Sequence, residues 1–171
     1  MATKRKRKKK SKGKAKGDRY EYVVCNDCTE LLGERCIRNM GAEHHGDVRT
    51  PSWFPFIVEA KHYQDLRLDF LLTGHSKCDI AGWWKQTVKH CEEQGQGRWP
   101  LLVMHRTYAG TFCMMEERRF DALCRLFPQF KIIEAIYWRD MAVINWKDFL
   151  CLPRPVIRSL NLRRLKRTNA L

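Results

Sequence analysis

The sequence predicts an α/β fold, a central mixed β-sheet flanked by helices, and three observations carry that expectation. Apolar runs rich in branched residues, Phe56-Ile57-Val58 and Leu101-Leu102-Val103-Met104, read as buried strands. Stretches with apolar residues at helical spacing lie before, between and after them, over 19–32, 80–94 and 117–127. A length of 171 residues suffices for one domain with a real core and is short for two.

The elements follow in order. Over 19–32, Tyr20, Val24, Cys28, Leu31 and Leu32 recur at helical spacing, with Asp18 as the expected N-cap and Gly33 as the C-cap. A short extended piece is expected at 36–38, then a polar, glycine-containing loop over 39–46. The segments that hold Asp47 and Glu59 predict an antiparallel pair joined by a turn at 50–55. Residues 64–80 show no convincing period and stay unassigned; a subunit contact or a substrate loop would suit them. From 80 to 94, Ile80, Trp83, Trp84, Thr87, Val88 and Cys91 form an apolar helical stripe that Gly95 ends. A strand at 99–104 pairs with 111–115 across Tyr108-Ala109-Gly110. Pro128 stops the helix at 117–127; 131–138 and 141–145 suggest a second hairpin, and 146–150 a last helical turn. The sequence contains no internal repeat.

Charge divides the chain into three parts. Residues 1–17 carry ten Lys/Arg and no acid, and 154–171 carry six and no acid, so of a formal +14 the body at 18–153 keeps about −2. The expectation is a disordered basic arm at 1–17, a folded domain at 18–153 and a basic tail at 154–171. Such ends hold phosphate backbones without reading sequence, and Lys6, Arg7, Arg163 and Arg164 are the named candidates. The run Lys4–Lys10 fits a nuclear-localisation pattern equally well. A secretory signal and a membrane-spanning window are both missing, so an intracellular, reducing compartment is expected for the eight cysteines.

The chemistry concentrates at Asp47 and Glu59-Ala60-Lys61. Side chains alternate along a strand, so Glu59 and Lys61 share one face and Ala60 takes the other. The turn at 50–55 would bring Asp47 beside them, converging two carboxylates and a lysine at the end of an apolar strand. Oxygen donors of this kind suit Mg²⁺, which takes one or two carboxylates and leaves positions for water and substrate phosphate. That is the pattern of a metal-dependent nuclease. Glu-x-Lys on its own occurs by chance in most proteins, and the bland alternative is a surface hairpin with an ordinary ion pair.

With Gly46-Asp47, Glu59-Ala60-Lys61, the Trp83-Trp84-Lys85-Gln86 helix, Arg19-Tyr20-Glu21 and the strand at 100–104, the chain resembles the PD-(D/E)XK nucleases. Within them it is similar to the Holliday junction resolvase-like endonucleases of phages and archaea, with Gly-Asp standing where that motif has Pro-Asp. The resemblance implies a restriction-endonuclease-like core and assigns roles. Asp47, Glu59 and the backbone carbonyl of Ala60 would hold the metal, and Lys61 would orient or deprotonate the attacking water. Glu21 would add a further carboxylate, and Gln86 would position water or phosphate. One or two Mg²⁺ ions are implied, with Mn²⁺ able to substitute. The loop at 39–45 departs from the pattern by carrying Glu43, His44 and His45.

DNA is the expected partner, with branched or junction DNA the first expectation and Arg38, Arg49 and Lys85 as further backbone contacts. A homodimer is expected, because cutting a junction symmetrically takes two sites related by a two-fold axis. A phage origin, hence the host cytoplasm, follows only from the resemblance. The alternatives are an end, flap or duplex nuclease of the same fold, and a non-catalytic nucleic-acid-binding protein on a degenerate one. Cys25, Cys28 and Cys36 with His44 or His45 have the ligand types for zinc, but Cys28 sits on a helical apolar stripe, and small buried hydrophobes are the expected reading.

Overall fold

A computed structural model of the chain describes residues 12–40, 46–63, 79–94 and 97–160. Helix α1 (Lys12–Leu32) leads into strands β1 (Ile37–Arg38), β2 (Val48–Arg49) and β3 (Phe56–Tyr63). Helix α2 (Ile80–Gln94) precedes the hairpin β4 (Trp99–Arg106) and β5 (Gly110–Glu116). Helix α3 (Glu117–Leu126), a 3₁₀ turn at Pro128–Ile132, strands β6 (Ala135–Trp138) and β7 (Met141–Asn145) and helix α4 (Trp146–Leu150) follow. Residues 154–160 form a last helical segment, α5.

The strands make one seven-stranded sheet in the order β1-β2-β3-β4-β5-β7-β6. Strands β3 and β4 run parallel, joined by the α2 crossover; the other pairings among the described strands are antiparallel. The sheet is therefore mixed and the class α/β, as the sequence predicts.

Strand periodicity decides which face each residue serves. Val58, Leu101, Val103, Cys113 and Ile144 point into the larger core, shared with Val24, Cys28, Phe120, Phe149 and Ile157 of the helices. Leu102, Met104, Met114 and Val143 point the other way, against Ile80 and the flanks of Trp83 and Trp84 on α2. Both tryptophans are core-flanking, as their helical spacing suggests. Glu59 and Lys61 pair in register with Leu102 and Met104, so they emerge on the α2 face.

Four sequence expectations change. Helix α1 begins at Lys12, so Asp18 lies within it rather than capping it, and 12–17 are helical. The anticipated strand at 131–138 starts only at Ala135, because Pro128 opens a 3₁₀ turn that runs through Ile132. The basic tail is not all tail: Ile157 and Leu160 of α5 are buried in the larger core. Finally, the β4–β5 loop is Thr107-Tyr108-Ala109, since Arg106 still pairs with Gly110. Gly33 does end α1, at φ +67°, its N–H donating to the Thr29 carbonyl at 2.8 Å. The unassigned stretch at 64–78, the loop with Glu43, His44 and His45, and Lys6, Arg7, Arg163 and Arg164 lie outside the described residues.

Candidate active site

Asp47 is fixed by backbone bonds on both sides. Its N–H donates to the Val58 carbonyl at 3.0 Å, and its own carbonyl accepts from Asn39 N–H at 2.9 Å. Gly46, just before it, has φ +70°, and a Cβ there would lie 2.6 Å from the Val58 carbonyl oxygen. Only glycine makes both the left-handed turn and this approach without cost. The Gly-Asp pair thus follows from backbone geometry in this chain. Thus held, the Asp47 carboxylate accepts from the Ala60 N–H at 2.8 Å.

Glu59 is 1 % exposed, and each of its oxygens has partners. Oε1 accepts from Lys61 Nζ at 2.6 Å and from Gln86 Nε2 at 2.9 Å. Oε2 lies 3.1 Å from His90 Nδ1. Burying a carboxylate is costly unless it is paired and hydrogen-bonded, and these three side chains meet that cost. Gln86 and His90 come from one face of α2, four residues apart, the spacing that stacks side chains one turn above another.

The electrostatics of the pair are unbalanced. Burial, then the charge of Glu59, push the Asp47 carboxyl from 3.8 up to about 7; the Ala60 N–H and Lys61 pull the other way. Glu21 on α1 adds to the upward push, which puts its charge within reach of Asp47. Two crowded acids beside one lysine form a site that a divalent cation would relieve. The donors are hard oxygens, which suit Mg²⁺ or Mn²⁺. No group of three or more His, Cys, Asp or Glu side chains among the described residues is placed to hold a metal. Asp47, Glu59 and a backbone oxygen would form only part of a shell, which fits an ion that keeps water and takes substrate oxygen.

The other sequence candidates divide. Glu21 is engaged by Arg38 Nε, and Arg38 also donates to Asp18 at 2.6 Å and lies over the Tyr22 ring. Arg38 therefore ties β1 to α1 and orients Glu21, its guanidinium charge paired with two carboxylates. Arg49 and Lys85 are exposed on β2 and α2. The thiols fare differently: burial first, then Cys36, push Cys25 up to about 12, and Cys28 and Cys36 are raised too. A thiol has to ionise to ligate zinc, and this environment opposes it.

His90 is the side chain of this cluster that the sequence reading missed. Its spacing from Gln86 was the available signal, four residues on along a helix whose apolar stripe excludes both. A cavity of about 680 Å³ lined by Trp84, Glu116, Arg118, Asp121, Arg139 and Met141 includes none of the cluster residues. The cluster lies instead between β3 and α2, with Lys61 at its edge, 22 % exposed.

No curated protein matches the sequence. Among solved structures, the chain is similar to Hjc of Archaeoglobus fulgidus, a Holliday junction resolvase from an archaeal hyperthermophile. That likeness covers 84 % of this chain and 96 % of that one, at 16 % identity and a TM-score of 0.38. Residues 12–153 match the family described as "phage putative PDDEXK endonuclease", a span that holds Glu21, Asp47, Glu59, Lys61, Gln86 and His90 together. The chain belongs to this PDDEXK endonuclease family.

Proposed function

We propose that the protein is a metal-dependent DNA endonuclease that hydrolyses phosphodiester bonds, selective for branched DNA such as four-way junctions. The observation that carries the reading is the buried Glu59, held at both oxygens beside an Asp47 carboxyl pushed up to about 7. Such an arrangement stores unfavourable charge where a cation and a phosphate would neutralise it.

Asp47, Glu59 and the Ala60 backbone would hold Mg²⁺. When bound, the ion lowers the pKa of water and offsets charge on the scissile phosphate. Lys61 donates to Glu59 and stands at the edge of the cluster, 22 % exposed, where it orients the attacking water and faces the phosphate. Gln86 and His90 keep the Glu59 carboxylate from rotating out of line. Glu21 supplies a further negative charge from α1, its orientation set by Arg38. Two chains related by a two-fold axis would place two such sites on opposite strands, which symmetric resolution of a junction requires.

A cleavage panel tests this directly. Purified protein with Mg²⁺ or Mn²⁺ is given four-way junction, flap, duplex and single-stranded DNA. The expected result is paired nicks in the junction, lost with EDTA and lost in Asp47→Ala and Glu59→Ala. Preference for flap or duplex would keep the nuclease and discard the junction reading. Cleavage that survives both substitutions would discard the site.

A further inference from the structure

The β4–β5 hairpin ends in Thr107-Tyr108-Ala109, and Tyr108 there is unusual in two independent ways. Its relative exposure is 105 %, so the ring touches essentially nothing in the fold. Its φ is +68°, the left-handed region, which is uncommon for any residue but glycine and an outlier for a bulky one. Neither solubility nor hairpin closure asks for a tyrosine there. Glycine or asparagine would close the turn without strain.

The base of the hairpin is held by ring stacking and side-chain hydrogen bonds. His62 and His105 stack at 5.2 Å between ring centres, and Tyr20 of α1 stacks on His105 at 5.2 Å. His105 Nδ1 lies 3.0 Å from Thr111 Oγ1, and His62 Nε2 lies 3.4 Å from Thr107 Oγ1. Arg106, exposed, stands at the foot of the loop.

The tip also projects from the chemical end of the sheet. Strands β3 and β4 are parallel, with Lys61 level with Met104 and Tyr63 level with Arg106. Tyr108 is four residues past Met104, at most about 13 Å beyond Lys61 at the rise of a strand. Along one DNA strand that distance is about four nucleotides.

We infer that Tyr108 is a stacking residue for an unpaired base of the DNA substrate, held by the β4–β5 hairpin about four nucleotides from the phosphate that the Glu59 cluster attacks. The inference rests on the nuclease reading for its substrate. An aromatic ring offers a face to any base, so the contact selects for unpaired structure and not for sequence. Arg106 at the foot of the loop steers the flanking phosphate toward the ring.

Binding of the full-length chain to DNA carrying 2-aminopurine tests it, with Ca²⁺ replacing Mg²⁺ so that nothing is cut. One duplex holds the probe base in an unpaired position and a second holds it paired. The expected result is quenching of the unpaired probe by the wild type and by Tyr108→Trp, with quenching lost in Tyr108→Leu. Affinity of Tyr108→Leu for the unpaired substrate should fall roughly tenfold, and affinity for the paired duplex should not move. Equal binding and equal quenching by Tyr108→Leu overturn the inference, as does an equal loss on both duplexes. The ring lies outside the core, so these variants fold, and a thermal melt confirms it. Failure of the nuclease reading looks different: the wild type would cut no DNA with Mg²⁺ or Mn²⁺, whatever Tyr108 does to binding.

Discussion

Glu59 is buried in a sheet face that should exclude it, and its neighbours explain how it stays there. With Lys61 and Gln86 on one oxygen and His90 near the other, Glu59 is preorganised. Replacing His90 by Ala leaves Oε2 without this contact, which costs about 1–3 kcal/mol for a buried acceptor. In a domain of this size that lowers Tm by roughly 2–4 °C per kcal/mol, readable by calorimetry. Asp47 gives a pH signature. Its carboxyl is raised from 3.8 to about 7 by burial and by Glu59, so the folded chain binds its proton more tightly than the unfolded chain. Stability contributed by that proton is therefore lost as pH rises from 3.8 to about 7. Denaturant midpoints measured in EDTA should fall across this window in the wild type and stay flatter in Asp47→Asn. Mg²⁺ should restore part of the loss at the upper end, since it binds the deprotonated pair. Equal slopes in both proteins would mean that the Asp47 carboxyl ionises normally.

Between elements, Gly46 fixes the geometry of the candidate site and α5 closes the larger core. Gly46→Ala would force a methyl group to 2.6 Å from the Val58 carbonyl in a left-handed backbone. The conformation alone costs about 1–2 kcal/mol, and the contact adds to it by pushing β2 off β3. Cleavage should fall further than stability explains, because Asp47 moves with the turn; kinetics and a melt on the same sample separate the two. Helix α5 is anchored by Arg154, whose Nε donates to the Leu31 carbonyl at 2.8 Å, and by buried Ile157 and Leu160. Truncation after Pro153 exposes those two side chains' contacts and should cost about 3–6 kcal/mol, at 1.5–3 per buried aliphatic side chain. A truncated chain that melts like the parent would return this segment to the status of a tail. The sequence reading weighed the six Lys/Arg of 154–171 and passed over Ile157 and Leu160, which stand three residues apart, at helical spacing. The opposite held for α2, whose apolar stripe and flanking glycine mark Ile80–Gln94 without ambiguity. Strands β3 and β4 were equally legible, since both are buried apolar runs, but their parallel pairing is a tertiary fact that no local pattern carries. The site was legible where residue type and strand alternation coincide, at Asp47, Glu59 and Lys61. At His90 only the spacing from Gln86 was legible; its contact with Glu59 exists only because α2 crosses over β3.

At the scale of the whole molecule, the candidate site and most of the positive charge lie in different parts of the chain. Residues 18–153 carry about −2, so a polyanion gains little from the domain's overall field and must be held by its ends and by local arginines. Residues 1–11 alone carry seven Lys/Arg and no acid. Each phosphate contact releases a counterion, and the slope of log affinity against log salt for duplex DNA is about −0.9 per contact. Removing residues 1–11 should therefore reduce that slope by up to about six, on every duplex tested and without regard to sequence or branching. The deletion ends before α1 begins, at Lys12, and leaves the described core intact, so its melt should match that of the full chain. Cleavage at saturating DNA should be unchanged, because Glu59 and its partners lie elsewhere; the loss should appear in KM and grow less severe as salt rises. If the slope does not change when the arm is removed, the contacts come from the body, and Arg49, Lys85 and Arg106 become the residues to substitute next. A kcat that falls with the arm would instead place residues 1–11 in the substrate path. On the proposed function the arm sets how long DNA stays and the domain where it is cut, and salt titration with and without the arm separates the two.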